Sequence, residues 1–330
     1  MISFLRTASA AAILAFAAAA TSASAESIRI AGNFAVEHSS SQAMERFKEL
    51  VAEKTGGALT VETFPAMQLG GAQENVDQVR SGVIMGTWIG AAYLSRTVPE
   101  LEAISLPFAY ADRETAFRVI DGPVGDLLNE KLADKGFLAL GWMELGSRNV
   151  TNNVRPIEKV EDFDGLKIRL QPNETHLATF RAIGANPVSM GIQEVYSALQ
   201  QGVLDGEENP YSIIATLKFN EVQKYLSDTA HFFDYIVVAV NKRQFEGMSP
   251  EFQTAMREAM TETVDWQRQK AAEEDTAAKE ALIQSGMVFT PISEELRAEL
   301  RARTRPVVED LKQRLGAELV DAVLSGTGQK

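Results

Sequence analysis

The sequence predicts an α/β protein of two domains, each built on a mostly parallel sheet flanked by helices. Three observations carry this. Strand-like apolar runs alternate with segments of helical periodicity from residue 27 to residue 241, the pattern of parallel strands joined by crossover helices. The length, 330 residues, suits one large or two ordinary domains. Residues 251–285 contain neither glycine nor proline, and as one helix they would extend ~52 Å, more than a small domain is wide.

The elements follow in order. Residues 27–33 alternate, with Ile28 and Ile30 apolar, and read as a strand. Ser39, Ser40 and Ser41 offer N-cap hydroxyls to a helix carrying Met44, Phe47, Leu50 and Val51, which Gly56 and Gly57 stop. Residues 59–64 are β-branched and aromatic, a strand closed by Pro65. A loop, Gln68-Leu69-Gly70-Gly71, leads to a helix with Val76 and Val79 inward, then to a buried strand at 83–89. Helices are predicted at 113–120 and 125–135, and a strand at 137–145 that 147–152 continues. Strands at 168–171, 187–190 and 203–205 are separated by helices at 174–183 and 193–201. A long apolar strand occupies 232–241. The 251–285 segment is one helix crossing both domains, or two with an unmarked break. A short strand at 287–290 and a helical region at 293–324 close the chain. With no low-complexity linker, the chain must cross between the domains more than once.

Composition bounds the function. Hydrophobic residues at 45% and charged residues at 23% support a sizeable core and exclude disorder. A net charge of −13 disfavours nucleic acid and anionic membranes, so an anionic ligand needs a local basic pocket. The absence of cysteine excludes a thiol nucleophile, a disulfide framework, a cysteine-ligated metal and a cysteine-borne lipid anchor. A short basic n-region to Arg6, an apolar stretch at 8–20 and the small-residue site Ala23-Ser24-Ala25 read as a signal peptide, residues 1–25, leaving Glu26 first. The apolar stretch is short for a membrane span, so the expected location is a bacterial periplasm.

Catalytic and cofactor motifs are missing. His38, His176 and His231 have no metal-ligand spacing, and there is no dinucleotide fingerprint, P-loop or nucleophile elbow. No cofactor or metal is expected. Asp162-Phe163-Asp164-Gly165 reads as a turn, because the later ligands of a calcium loop do not follow. Glu207 and Glu208 would point to opposite faces of a strand, so they read as a turn with one solvated carboxylate.

Placement singles out candidate binding residues. In an open α/β sheet ligands collect beyond the carboxyl ends of strands. Arg169 ends a short apolar strand, and its planar fork of donors suits a carboxylate; the alternative is an ion pair with Asp162 or Asp164. Arg148 follows a strand, as a ligand group or a surface charge at the domain boundary. Asn209, before Pro210, reaches a ligand or caps backbone. Asn33, Phe34, Glu37 and His38 form the loop after the first strand. Trp88 ends a strand, where it walls a pocket or packs in the core. Tyr211 could stack on a ligand, and Phe233 and Asp234 sit at a second crossing between domains.

Several motifs together resemble the extracytoplasmic solute-binding proteins of TRAP transporters, the DctP-like family. They are Gly141-Trp142, Gly146-Ser147-Arg148, Gly165-Leu166-Lys167-Ile168-Arg169, Gly184-Ala185-Asn186-Pro187, the run from Glu194 to Gln200, and Asp205-Gly206-Glu207-Glu208-Asn209-Pro210, with the Gln68-Leu69-Gly70 loop. The resemblance spans residues 26–320. It implies a two-lobed periplasmic-binding-protein fold with hinge strands and a long helix spanning both lobes. Lobe one would be 26–145 with 235–274, and lobe two 146–234 with 275–330. It also implies that Arg169 takes a ligand carboxylate, assisted by Arg148 and Asn209, with delivery to integral membrane subunits.

Ala72 and Gly90 stand where sialic-acid-binding members carry carboxylates, and no tryptophan adjoins Arg169 as in ectoine-binding members. Both departures point to other ligands. Two arginines could hold two carboxylates, as for a C4-dicarboxylate. They could equally share one, with Glu37, Trp88 and Tyr211 reading a sugar acid or hydroxy acid. The expected species is a monomer. The alternatives are an enzyme using Glu37 and His38 as acid and base, or a sensor subunit presented to a receptor kinase.

Overall fold

The computed structural model describes residues 26–328; the predicted signal peptide lies outside the described residues. Its elements, in order, are β1 (Glu26–Gly32), α1 (Ser39–Lys54), β2 (Leu59–Phe64), α2 (Ala72–Ser81), β3 (Gly86–Gly90), α3 (Arg113–Ile120), α4 (Pro123–Asp134) and β4 (Phe137–Asn152). Then come β5 (Lys167–Leu170), α5 (Glu174–Ala182), β6 (Asn186–Ser189), α6 (Ile192–Gln200), β7 (Gly206–Asn209), α7 (Tyr211–Thr216) and β8 (Tyr225–Asn241). The chain closes with α8 (Lys242–Gly247), α9 (Pro250–Gln284), β9 (Val288–Pro291), α10 (Glu294–Leu315) and α11 (Ala317–Gly326).

The molecule is two-lobed. The strand order β2-β1-β3-β8-β4-β7-β5-β6 runs through both lobes, and β9 pairs with β8. β1 is parallel to β2 and β3, and β5 is parallel to β6 and β7, so each lobe carries parallel strands. The long antiparallel pair β4 and β8 joins them, 16 and 17 residues in length. Its register slips at three bulges, between Ala139 and Gly141, Glu144 and Gly146, and Arg148 and Val150. Bulges bend and twist a strand, and the second and third lie where the pair leaves the lobe-one cores.

Four apolar cores cover the two faces of each lobe. On β8 the period-two alternation is complete: Tyr235, Val237 and Ala239 join one core, while Ile236, Val238 and Val240 join another. In lobe two, Phe163, Ile168 and Phe180 pack on one face, and Val195, Leu199 and Ile214 on the other.

α9 is one continuous helix of 35 residues. Met256, Ala259 and Met260 pack in a lobe-one core, whereas Leu282 packs with Ile214 and Met287 in lobe two. The helix therefore bridges the lobes.

Some local expectations change. The helix cap of α1 is His38, whose Nδ1 accepts from the Ser40 amide, and the three serines lie inside the first turn. Residues 203–205 are a turn, and the strand begins at Gly206, where a Cβ would lie 2.1 Å from the Thr151 carbonyl. The 293–324 region is broken at Gly316, which sits at φ +92°. Residues 275–330 were expected wholly in lobe two, yet Leu311, Leu319, Val320 and Val323 pack with Val119 and Leu128 in a lobe-one core.

Candidate functional site

The carboxyl ends of β1, β3, β5 and β7 converge on one cleft between the lobes, the position that open α/β sheets reserve for ligands. It encloses about 500 Å³, its open mouth included. Lobe one supplies Asn33, Phe34 and Ala35 after β1, Ala72 at the start of α2, and Gly90 and Tyr93 after β3. Leu145 comes from the bulged region of β4. Lobe two supplies Arg169 and Gln171, Ile192, Asn209, Ile213 of α7 and Leu217 just after it.

Arg169 is fully buried on β5, between β6 and β7. Its Nε and Nη2 donate to the Met190 carbonyl at 2.9 and 2.8 Å, and Nη2 also donates to the Tyr93 hydroxyl at 3.0 Å. Nη1 is buried without a hydrogen-bond partner among the described residues. Asp162, one expected partner, instead accepts from the Glu158 and Lys159 amides. A buried guanidinium nitrogen with no partner is costly unless an acceptor comes to it, and a carboxylate is the acceptor that also balances its charge.

Two side-chain amides line the same cleft. Asn75 donates its Nδ2 to the Leu69 carbonyl, so its Oδ1 faces Asn33 and accepts from Asn33 Nδ2 at 2.7 Å. Asn33 is thereby oriented with Oδ1 buried and unpartnered. Gln171 donates Nε2 to Asp234 at 2.9 Å, which leaves Oε1 buried and unpartnered as well. Gln171 lies two residues after Arg169, just past the end of β5, and lines the same cleft.

Arg148 is also fully buried, but its donors are spent. Nε and Nη2 grip the Glu208 carboxylate, Nη2 also reaches the Glu208 carbonyl and Asn209 Oδ1, and Nη1 donates to Asp234 at 3.1 Å. It does not line the cleft. The pairing of β4 with β7, Asn149 against Asn209 and Val150 against Glu208, brings these groups together. His231 Nε2 lies 3.0 Å from Glu208. Burial alone would raise the Glu208 carboxyl, but Arg148 and then His231 hold it down at about 2.

Glu207, on the opposite face of β7, behaves differently. Neither glutamate is a solvated turn residue; both are fully buried. Thr151 has one hydroxyl hydrogen and faces two acceptors, Glu207 Oε1 at 2.8 Å and Gln223 Oε1 at 2.9 Å. Gln223 is oriented by its Nε2 bond to the Val222 carbonyl, so a proton on Glu207 completes the set. Burial pushes the Glu207 carboxyl up to about 7, opposed by hydrogen bonds from Asn209 and Thr151.

The remaining predicted residues divide. Asn209 borders the cleft with both amide ends engaged, Oδ1 by Arg148 and Nδ2 by Glu207. Phe34 walls the cleft and stacks on His38, with ring centroids 5.0 Å apart. His38 is buried as the α1 cap, its Nε2 3.4 Å from Ser212 Oγ, and burial lowers it to about 4. Glu37 is exposed. Trp88 packs beside Phe47 at 6.0 Å, and Phe233 packs among Tyr110, Phe117 and Tyr235; both are core residues, and neither lines the cleft. Tyr211 is buried near Asp228, where burial and then that charge raise its phenol. Asp234 orients Gln171 and touches no cleft surface itself. Tyr93, Gln171, Leu145, Ile213 and Leu217 were not singled out from sequence. Period two from Arg169 could have found Gln171, and the loop after β3 could have found Tyr93.

Known proteins share this architecture. Residues 30–314 match the family model described as bacterial extracellular solute-binding protein, family 7. The 2,3-diketo-L-gulonate-binding periplasmic protein of Escherichia coli is 34% identical over 306 residues, covering 92% of this chain and 93% of that protein. The sugar acid binding protein of Advenella mimigardefordensis, solved in complex with galactonate, superposes with a TM-score of 0.90 at 31% identity, covering 92% of this chain and 98% of that one. A TRAP periplasmic solute binding protein from Sulfurospirillum deleyianum, with bound succinate, gives a TM-score of 0.86 at 29% identity, covering 91% and 99%. With its two lobes, bridging helix and cleft at the strand ends, the chain belongs to the family 7 extracellular solute-binding proteins, the solute-binding proteins of TRAP transporters.

Proposed function

We propose that this protein is a periplasmic receptor that captures a small organic acid by its carboxylate in the interlobe cleft and hands it to the integral membrane subunits of a TRAP transporter. The observation that carries the reading is the unpartnered, buried Nη1 of Arg169 on the cleft wall. Nη1 offers a charged, buried donor to an incoming carboxylate oxygen, while Met190 and Tyr93 occupy Nε and Nη2 and hold the guanidinium in place. Arg148 acts one step back: it fixes Asn209 and Asp234, and through Asp234 it fixes Gln171. Closure follows a hinge in β4 and β8, with α9 as the strap. Relatives named for sugar acids and for succinate support an acid as cargo. The cleft residues need only bind and release; no bond is made or broken in the cargo.

A thermal-shift screen of organic acids tests the reading. An acid at 100 times its dissociation constant should stabilise the native state by ~2.7 kcal/mol. The same acid at that concentration should stabilise Arg169→Gln by no more than ~0.4 kcal/mol. If no carboxylate stabilises the wild type, or the variant shifts equally, the anchor is misassigned.

A further inference from the structure

We infer that the cargo is a monocarboxylic acid bearing one or two hydroxyl groups on an otherwise apolar skeleton, and that Asn33 and Gln171 read those hydroxyls. The inference rests on Arg169 as the carboxylate anchor. Charge comes first. Arg169 is the one charged residue among the described residues lining the cleft, and the Arg148 guanidinium is already matched by Glu208 and Asp234. A second carboxylate would enter without a counter-charge, a heavy desolvation cost.

The amide orientations add a direction to this. Asn75 forces Asn33 Oδ1 toward the cleft, and the Asp234 carboxylate forces Gln171 Oε1 there. Two carbonyl oxygens repel a second carboxylate and accept from hydroxyls. A site built to hydrogen-bond a substrate hydroxyl discriminates strongly against an analogue that lacks it.

The count of partners sets an upper bound. Beside these two acceptors, the Tyr93 hydroxyl and one remaining N–H of Asn209, whose Oδ1 is taken by Arg148 and other N–H by Glu207, the walls are Phe34, Leu145, Ile192, Ile213 and Leu217. A six-carbon acid with five hydroxyls would bury several of them unpaired, each at a cost. A branched aliphatic remainder fits these walls.

Isothermal titration calorimetry on the mature protein, refolded from denaturant to strip carried-over ligand, would compare 2-hydroxy-3-methylbutyrate, 3-methylbutyrate, succinate and galactonate. The hydroxy acid should bind at least tenfold tighter than each of the others. In Asn33→Leu and Gln171→Leu the ratio between the hydroxy acid and 3-methylbutyrate should fall toward one. Succinate or galactonate binding as tightly as the hydroxy acid overturns the inference; loss of that binding in Arg169→Gln would show that the anchor survives it. A ratio unchanged in both leucine variants also overturns it. Silence with all four acids overturns it too, and the wider carboxylate screen then decides the anchor separately.

Discussion

Arg169 and Tyr93 meet across the cleft: Nη2 of the arginine, on a lobe-two strand, donates to the phenolic oxygen of a lobe-one residue at 3.0 Å. This bond links the proposed carboxylate anchor to the opposing lobe. Tyr93→Phe removes it while Met190 still holds the guanidinium. The loss of one hydrogen bond to a charged donor predicts a dissociation constant raised ~10-fold, against ~100-fold or more for Arg169→Gln. Calorimetry on both variants checks the order; equal losses would mean that Tyr93 touches the cargo as strongly as the arginine.

Arg148 is predicted to matter for stability rather than for ligand contact. Arg148→Met leaves Glu208 and Asp234 buried without their counter-charge. Removing one partner of a buried pair costs ~3–5 kcal/mol. Urea unfolding of the ligand-free protein should show that loss, and Arg148→Met with Glu208→Gln should recover part of it. A variant as stable as wild type that no longer binds would return Arg148 to the ligand.

The contrast between these arginines shows how far the sequence could be read. That Arg169 lines the cleft was legible because it follows from local position, the end of a short strand in an α/β sheet. Arg148 was not, because its partners Glu208 and Asp234 lie 60 and 86 residues away and meet it only through the registers of β7 and β8 on β4. The same registers bury both Glu207 and Glu208, for which a turn with one solvated carboxylate was expected because neighbouring residues point to opposite faces. The continuous apolar run of β8 and the glycine- and proline-free run of α9 were visible as pattern, so the two-lobed fold and its bridge were readable. The α7 segment was missed: Pro210 reads as a stop but precedes a helix whose Ile213 faces the cleft.

Glu207 gives a pH dependence with a definite sign. Its carboxyl is near 4.5 when unfolded and about 7 in the fold, so between those values the native state holds the extra proton. Stability therefore falls as pH rises from 4.5 to 7, by on the order of 3 kcal/mol for this group. Glu208 acts oppositely, its contribution being lost as pH falls from 4.5 toward 2. Glu207→Gln should remove the first slope, since its Nε2 can donate to Thr151 as a protonated carboxyl would. Unfolding free energies at pH 5 and pH 8 check this; a variant that keeps the wild-type difference would assign the slope elsewhere.

Two glycines near the cleft should respond differently to the same methyl group. Gly146 sits in the β4 bulge at φ +116°, with Pro210 3.4 Å from where a Cβ would lie. Gly146→Ala forces an L residue into that conformation and should lose ~1–3 kcal/mol by urea unfolding. Gly90 has φ −58°, and a Cβ there would meet Gln171 Oε1 at 3.6 Å and Leu145 and Tyr93 at 3.7 Å, all ordinary contacts. Gly90→Ala should unfold like wild type. Its methyl nevertheless enters the cleft beside the Gln171 carbonyl, so affinity should fall while stability does not. Unfolding and calorimetry on both variants separate the hinge from the binding surface; a Gly90→Ala protein that binds as wild type would place the cargo away from Gln171.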